Sequence, residues 1–174
     1  MIRRIAITGP ESTGKSELAT ALAKHYHTVW VPEYARAYLN ELRRPYEYED
    51  LLKIAKGQVR GEEAQMKNAQ GFLFADTELL VLKIWCSVKY GKCHRWIEDG
   101  LKKQDYDLYL LTDIDLPWQP DPLREHPDKR KELFDLYLDE LKKRNLKFEI
   151  VNGFGAQRLA NAVKCIEKRF KIDQ

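Results

Sequence analysis

Gly9-Pro10-Glu11-Ser12-Thr13-Gly14-Lys15-Ser16 follows a short apolar run, Ile5-Ala6-Ile7, and opens onto Glu17-Leu18-Ala19-Thr20-Ala21-Leu22. The order is strand, G-x-x-x-x-G-K-S, amphipathic helix, which is the setting in which this spacing makes a phosphate-binding loop, or P-loop. The glycines let backbone N–H groups converge on an anion, and the helix N-terminus behind them adds its positive end. Lys15 has the length to reach β- and γ-phosphates, and Ser16 can present its hydroxyl to a magnesium ion. Gly9, Glu11, Ser12, Thr13, Gly14, Lys15 and Ser16 are therefore the candidate phosphate ligands. A chance match in a glycine-rich turn would not explain a strand before it and a helix after it.

The chain has 174 residues, 44% apolar and 33% charged, which fits one soluble globular domain spanning 1–174. A chain of this size buries roughly two-thirds of its unfolded surface, enough for a sizeable core. The net charge of +3 has both signs interspersed, too mild to argue for a nucleic-acid partner. Cys86, Cys93 and Cys165 are odd in number and lack metal-ligand spacing, so they read as reduced thiols of a cytoplasmic protein. The first residues lead straight into a strand, so no signal peptide is expected, and no apolar run approaches membrane-spanning length. Nothing in the sequence sets an oligomeric state.

Strand and helix signals alternate along the chain, which argues an α/β fold built on a mainly parallel, doubly wound sheet of five strands with helices on both faces. The strands read as residues 2–8, 28–32, 71–75, 108–111 and 147–151. The helices read as 15–27, 34–42, 47–68, 78–90, 94–103, 129–144 and 156–170. The 47–68 helix is polar with only a weak apolar stripe, so it is expected outside the core, over the substrate cleft. The 78–90 helix is apolar almost all round and should be deeply packed. Residues 114–128 carry four of the seven prolines. That is a long loop, and long loops in compact domains tend to be functional, here as a lid.

Ligands of such sheets bind at the carboxyl ends of the strands. Glu33 follows the second strand, Asp76 the third, Thr112-Asp113-Ile114-Asp115-Leu116-Pro117-Trp118 the fourth and Asn152 the fifth. Asp76 sits where P-loop proteins hold magnesium; its plainer reading is a helix N-cap. Glu33 could take the proton of an attacking hydroxyl; its plainer reading is a helix-start glutamate favoured by the dipole. Arg124 and Arg130 lie on or just past the loop and could neutralise charge on a triphosphate, or be solvated. Trp118 could stack on a flat base or anchor the lid. His25, His27 and His94 have no partners in their sequence context.

The blocks Gly9–Ser16, Pro32-Glu33-Tyr34-Ala35-Arg36, Phe74-Ala75-Asp76-Thr77 and Thr112–Trp118, followed by Asp121 and Leu123-Arg124, resemble the ribosylnicotinamide kinase domain of the NadR family, nearly end to end. The resemblance implies a P-loop kinase that uses ATP and Mg2+ to phosphorylate the 5′-hydroxyl of nicotinamide riboside. It implies Lys15, Glu33 and Arg124 as catalytic residues, and Ser16 and Asp76 on the metal. It places Glu33, Tyr34, Arg36, Asp76, Trp118 and Asp121 on the substrate side and Asn152 on the ATP side. Longer members add an adenylyltransferase domain, some also a DNA-binding one. Met1 stands just ahead of the first strand and no H-x-G-H signature occurs, so neither activity is expected here.

Two other readings stay open. One is a kinase for a different nucleoside. The other is a P-loop ATPase or sensor that regulates a partner; no pair of adjacent acids follows the third strand, and the chain has no room for the helical lid domain of AAA machines, both of which count against it.

Overall fold

A parallel sheet must hide both faces, so its strands are apolar throughout and its crossovers are helices. The computed structural model describes residues 1–172. In chain order the elements are β1 (Arg3–Thr8), α1 (Lys15–His25), β2 (Val29–Val31), α2 (Tyr34–Glu41), α3 (Tyr48–Met66), β3 (Phe72–Asp76), α4 (Leu79–Tyr90), α5 (Arg95–Lys103), β4 (Leu108–Thr112), α6 (Arg130–Lys143), β5 (Phe148–Val151) and α7 (Gly155–Phe170). The strands line up in the order β2-β3-β1-β4-β5, and every pairing is parallel. The five strands and seven helices expected from the sequence are all present, with ends shifted by a few residues at most.

Side chains alternate across a strand, and the two faces have separate cores. Ile5, Ile7, Phe72, Phe74, Leu108 and Leu110 pack with Leu18 and Leu22 of α1 and Ile166 of α7. Ala6, Leu73, Ala75, Tyr109 and Leu111 face the other way, onto α3, α4, α5 and α6. Ile7 pairs with Asp76 and Thr8 with Leu111, so the loop after β1 emerges level with the ends of β3 and β4. Val31 pairs with Ala75, which brings the residues after β2 to the same edge. The site can assemble there and nowhere else on the sheet.

The 47–68 helix does not lie outside the core. Its stripe Leu51, Ile54 and Ala55 is fully buried. Polar side chains that read as solvated are buried with partners. Asp50 takes hydrogen bonds from Arg44 at 2.7 and 2.9 Å and from the Tyr38 hydroxyl at 2.7 Å, and the Arg44 guanidinium holds its carboxyl below the usual range. Glu62 pairs with Arg4 at 2.6 Å. Buried polar groups are tolerated when they are paired, so polarity alone misjudged the face of this helix.

α3 also presses against α2. A β-carbon at Gly57 would overlap the ring of Tyr34. Gly→Ala inside a helix normally stabilises by roughly 0.5–1 kcal/mol. At Gly57 we expect the opposite, a loss of about 1–3 kcal/mol from overpacking, read as a lower urea midpoint at unchanged slope. A rise in midpoint for Gly57→Ala would show that Tyr34 moves aside freely.

Candidate active site

The P-loop is held by its own residues. Gly9 has φ +136°, and a β-carbon there would stand 2.6 Å from Thr112 Oγ1, so only glycine lets β4 come this close. Thr13 donates to Pro10 O at 2.7 Å, its oxygen lies 2.6 Å from Thr112 Oγ1, and Thr112 donates to Thr8 O at 3.1 Å. Lys15 Nζ also donates to Pro10 O, at 2.7 Å. Burial pushes the Lys15 pKa down, while the carboxylates of Glu33, Asp76 and Glu11 pull it back up. Glu11, Glu33 and Lys15 line one cleft, and Asp76 ends the neighbouring strand β3.

Asp76 ends β3 at 2% exposure, and its Oδ1 has no hydrogen-bond partner. Burial, then the charge of Glu33, pushes its pKa up to about 6, opposed by a hydrogen bond from Ser16 and by Lys15 and Arg36. The unpartnered Asp76 oxygen and the Ser16 hydroxyl are hard-oxygen donors of the kind that could hold a magnesium ion. No cluster of three or more His, Cys, Asp or Glu that could hold a metal occurs among the described residues. The N-cap role is not Asp76's. Glu78 caps α4, accepting from Leu80 N at 2.5 Å and from the Thr8 hydroxyl at 2.9 Å. Glu33 stands at the N-cap position of α2, but its side chain makes no cap bond and lines the cleft instead.

The cleft has a volume of about 570 Å³, within the range of small-molecule sites. Its floor is the P-loop, and Glu33 and Arg36 stand on one side. Val81, Ile84, Trp85 and Val88 of α4 form an apolar wall, with Leu133 and Tyr137 of α6 opposite. This explains why α4 is apolar all round yet not deeply packed all round. Leu79, Leu80, Leu82 and Cys86 face the core, while Val88 is 37% exposed on the cleft side. Phe154, 59% exposed, and Gly155 close the far end.

The 114–128 segment roofs this cleft through polar contacts. Glu11 was expected on phosphate, but its carboxylate accepts the backbone N–H of Glu125 at 3.0 Å and that of His126. A carboxylate facing a triphosphate would repel it, and here the charge is turned onto lid amides. Ser12 Oγ accepts from Gln119 N at 2.9 Å. Arg130 donates to Ser12 O and Leu116 O at 3.2 and 2.8 Å, so it staples the lid rather than facing phosphate. Glu125 accepts from the Tyr46 hydroxyl and Lys89 Nζ, both at 2.7 Å, and Trp85 Nε1 donates to that same hydroxyl at 2.9 Å.

Of the other residues picked from sequence, Arg124 and Arg36 line the cleft. Trp118 does not; it is half-buried with the Arg130 guanidinium 5.9 Å from its ring centre, a lid anchor in this arrangement. Asp121 pairs with Arg36 at 3.1 Å and accepts from Leu123 N at 2.9 Å, a turn-forming role. Tyr34 packs over Gly57, and Asn152 accepts from Asn161 Nδ2 at 3.0 Å, so neither lines the cleft. His94, read as partnerless, stacks on Tyr48 with ring centres 3.8 Å apart. Trp85, Glu125 and Phe154 went unnoticed as site residues. A helix without a polar face was the available signal for Trp85.

Burial and the charge of Glu33 push the Asp76 pKa up to about 6, so if this carboxylate holds magnesium, affinity should be full above that pH and fall about tenfold per unit well below it. Titrating Mn2+ against pH with a non-hydrolysable ATP analogue checks this, and an affinity flat from pH 5 to 8 would remove Asp76 from the metal. The lid latch should respond to charge. Glu125→Lys should make the lid easier to cut with chymotrypsin, which has Trp118 and Leu123 as sites there, and adding Lys89→Glu should restore protection. Each state differs by about 1 kcal/mol or less, since the pair is one-third exposed.

Comparison with known proteins agrees with this geometry. The family described as AAA domain matches residues 4–158. The trifunctional NAD biosynthesis/regulator protein NadR of Salmonella typhimurium is 31% identical over 172 residues, and the alignment covers 95% of this chain but only 42% of that relative's length. A crystal structure of NadR protein in complex with NR superposes with a TM-score of 0.78 at 20% identity, over 98% of this chain and 52% of that one. Thymidylate kinase from Ehrlichia chaffeensis superposes at 0.69 with 12% identity, over 96% and 98% of the two chains. At these identities the structural likenesses speak for the fold. Matched from its first strand into its last helix, the chain belongs to the AAA domain family, a family of P-loop proteins.

Proposed function

We propose that the protein is an ATP-dependent kinase that transfers the γ-phosphoryl group to the 5′-hydroxyl of nicotinamide riboside, giving nicotinamide mononucleotide. One observation carries this reading. Glu33 and Lys15 share a cleft that continues past the phosphate end into an apolar wall bearing Trp85, so there is room for an acceptor with a flat ring. The similarity to proteins named for NAD biosynthesis, one of them solved with NR, supports the choice of acceptor.

In this reading Lys15 leaves Pro10 O for the β- and γ-phosphate oxygens, and the P-loop amides hold the rest of the chain. Ser16 and Asp76 would hold magnesium, which supplies positive charge between the phosphates. Glu33 orients the 5′-hydroxyl and takes its proton as the O5′–P bond forms and the bond to the β-phosphate bridging oxygen breaks. Arg124 meets the charge that develops on the transferred group. The α4 wall and the lid exclude water, which would otherwise compete as acceptor. Phe154 and Gly155 lie at the donor end, where a base can pack.

The test is ADP release with and without nicotinamide riboside, in the wild type and in Glu33→Gln. We expect the riboside to stimulate release. We expect Glu33→Gln to lower kcat about 10²-fold at unchanged KM for ATP, because glutamine keeps the size but cannot take the proton. Stimulation by other nucleosides alone would change the acceptor, and basal turnover indifferent to every nucleoside would favour an ATPase. Near-normal kcat in Glu33→Gln would return Glu33 to a helix-start glutamate favoured by the dipole.

A further inference from the structure

Gln58 is 1% exposed on α3, a helix whose sequence pattern carries no sign of the chemistry. Its amide has three partners. Oε1 accepts the backbone N–H of Tyr34 at 2.9 Å, and Nε2 donates to Thr77 O at 3.0 Å and Asp76 O at 3.4 Å. The network fixes which end is which, since one end meets a donor and the other two acceptors. Tyr34 follows Glu33, so one buried side chain holds the backbone on which each acid is mounted.

The sheet holds Asp76 through its pairing with Ile7 of β1, but it does not tie Glu33 to Asp76. β2 pairs with β3 only through Val29, Trp30 and Val31, and no ladder pair joins the strands beyond Val31 and Ala75. Glu33 and Asp76 both lie past that point. Thr77 is at φ +75°, a conformation that a β-branched residue holds only when its surroundings impose it. Gln58 and the bond from Thr77 N to Ile7 O, 3.2 Å, are what impose it on either side.

We propose that Gln58 is a positioning residue that sets the spacing between Glu33 and Asp76, and so between the proton acceptor and the metal end of the site. The proposal rests on the kinase reading above. Gln58 touches neither nucleotide nor acceptor; it acts through the two strand ends. Without it, the acids drift apart while the P-loop, which it does not contact, keeps its grip on ATP. A misplacement on the order of 1 Å can cost as much as 10²-fold in rate.

Gln58→Met removes both polar ends at similar volume. We expect kcat to fall about tenfold or more, with KM for ATP at saturating metal rising by no more than the metal affinity falls. We expect Mn2+ to bind several-fold more weakly in the presence of a non-hydrolysable ATP analogue. In a Glu33→Gln background the same substitution should cost less than about threefold in kcat, because its loss runs through Glu33. A folded Gln58→Met with unchanged kcat, or losses that simply multiply in the double variant, would overturn the proposal. Should Gln58→Met not fold, Gln58→Glu goes through the same cycle and the same outcomes uphold or overturn the proposal; it keeps the acceptor for Tyr34 N and loses the donors. If Glu33→Gln alone proves harmless, the base assignment falls. Gln58 is then judged on Mn2+ affinity, where a loss upholds it and none overturns it.

Discussion

Three carboxylates, Glu11, Glu33 and Asp76, bear on one half-buried lysine. Their mutual repulsion is the constraint that the rest of the site must answer. Each acid has a different answer. Glu11 is neutralised by two lid amides. Asp76 is buried with one oxygen unpartnered, and burial with Glu33 nearby makes it a reluctant anion. Glu33 stays at the cleft wall. In the proposed kinase a triphosphate would meet these acids together with its own cations, which would offset the repulsion.

The lid answers the same constraint from above. Its four prolines restrict its shape; it is tied to the P-loop by hydrogen bonds to Ser12 and Glu11 and to α4 by the partly exposed Lys89–Glu125 ion pair. Bonds of that kind contribute little each and break singly. A lid held by apolar burial would be slow to open for product; one held by Glu11, Ser12 and Glu125 can yield when water reaches it. Within the P-loop the side chains divide the work: Glu11 and Ser12 hold the roof, while Thr13 and Lys15 bond Pro10 O inside the loop.

Much of this was legible in the sequence, and the reasons are local. Gly9–Ser16 declares itself because the anion site is made by consecutive backbone groups. The sheet is legible because strands buried on both faces read as apolar runs. Glu33 and Asp76 are found by counting to the strand ends, where the topology places ligands. What escaped depended on partners far along the chain. Glu11 meets Glu125 and His126, Asp50 meets Arg44 and Tyr38, and Gln58 meets Asp76 and Thr77. A polar residue on a helix looks solvated until its partner is known. Trp118 left two readings open, since an aromatic on a loop can face a base or the protein; here it lies beside Arg130 and off the cleft lining.

α3 meets the constraint of the acids from behind. Its polar residues Asp50, Gln58 and Glu62 are buried, and apolar replacements of the same size would avoid the desolvation they incur. Apolar packing, however, is tolerant of small shifts, whereas a paired amide or carboxylate has one arrangement with short bonds. Each of the three polar residues fixes a different neighbour: Asp50 the turn carrying Arg44, Gln58 the two acid-bearing strand ends, Glu62 the first strand through Arg4. The helix gives up some stability for definition of place. It does so directly behind the edge of the sheet where the acids must keep a fixed distance from the P-loop.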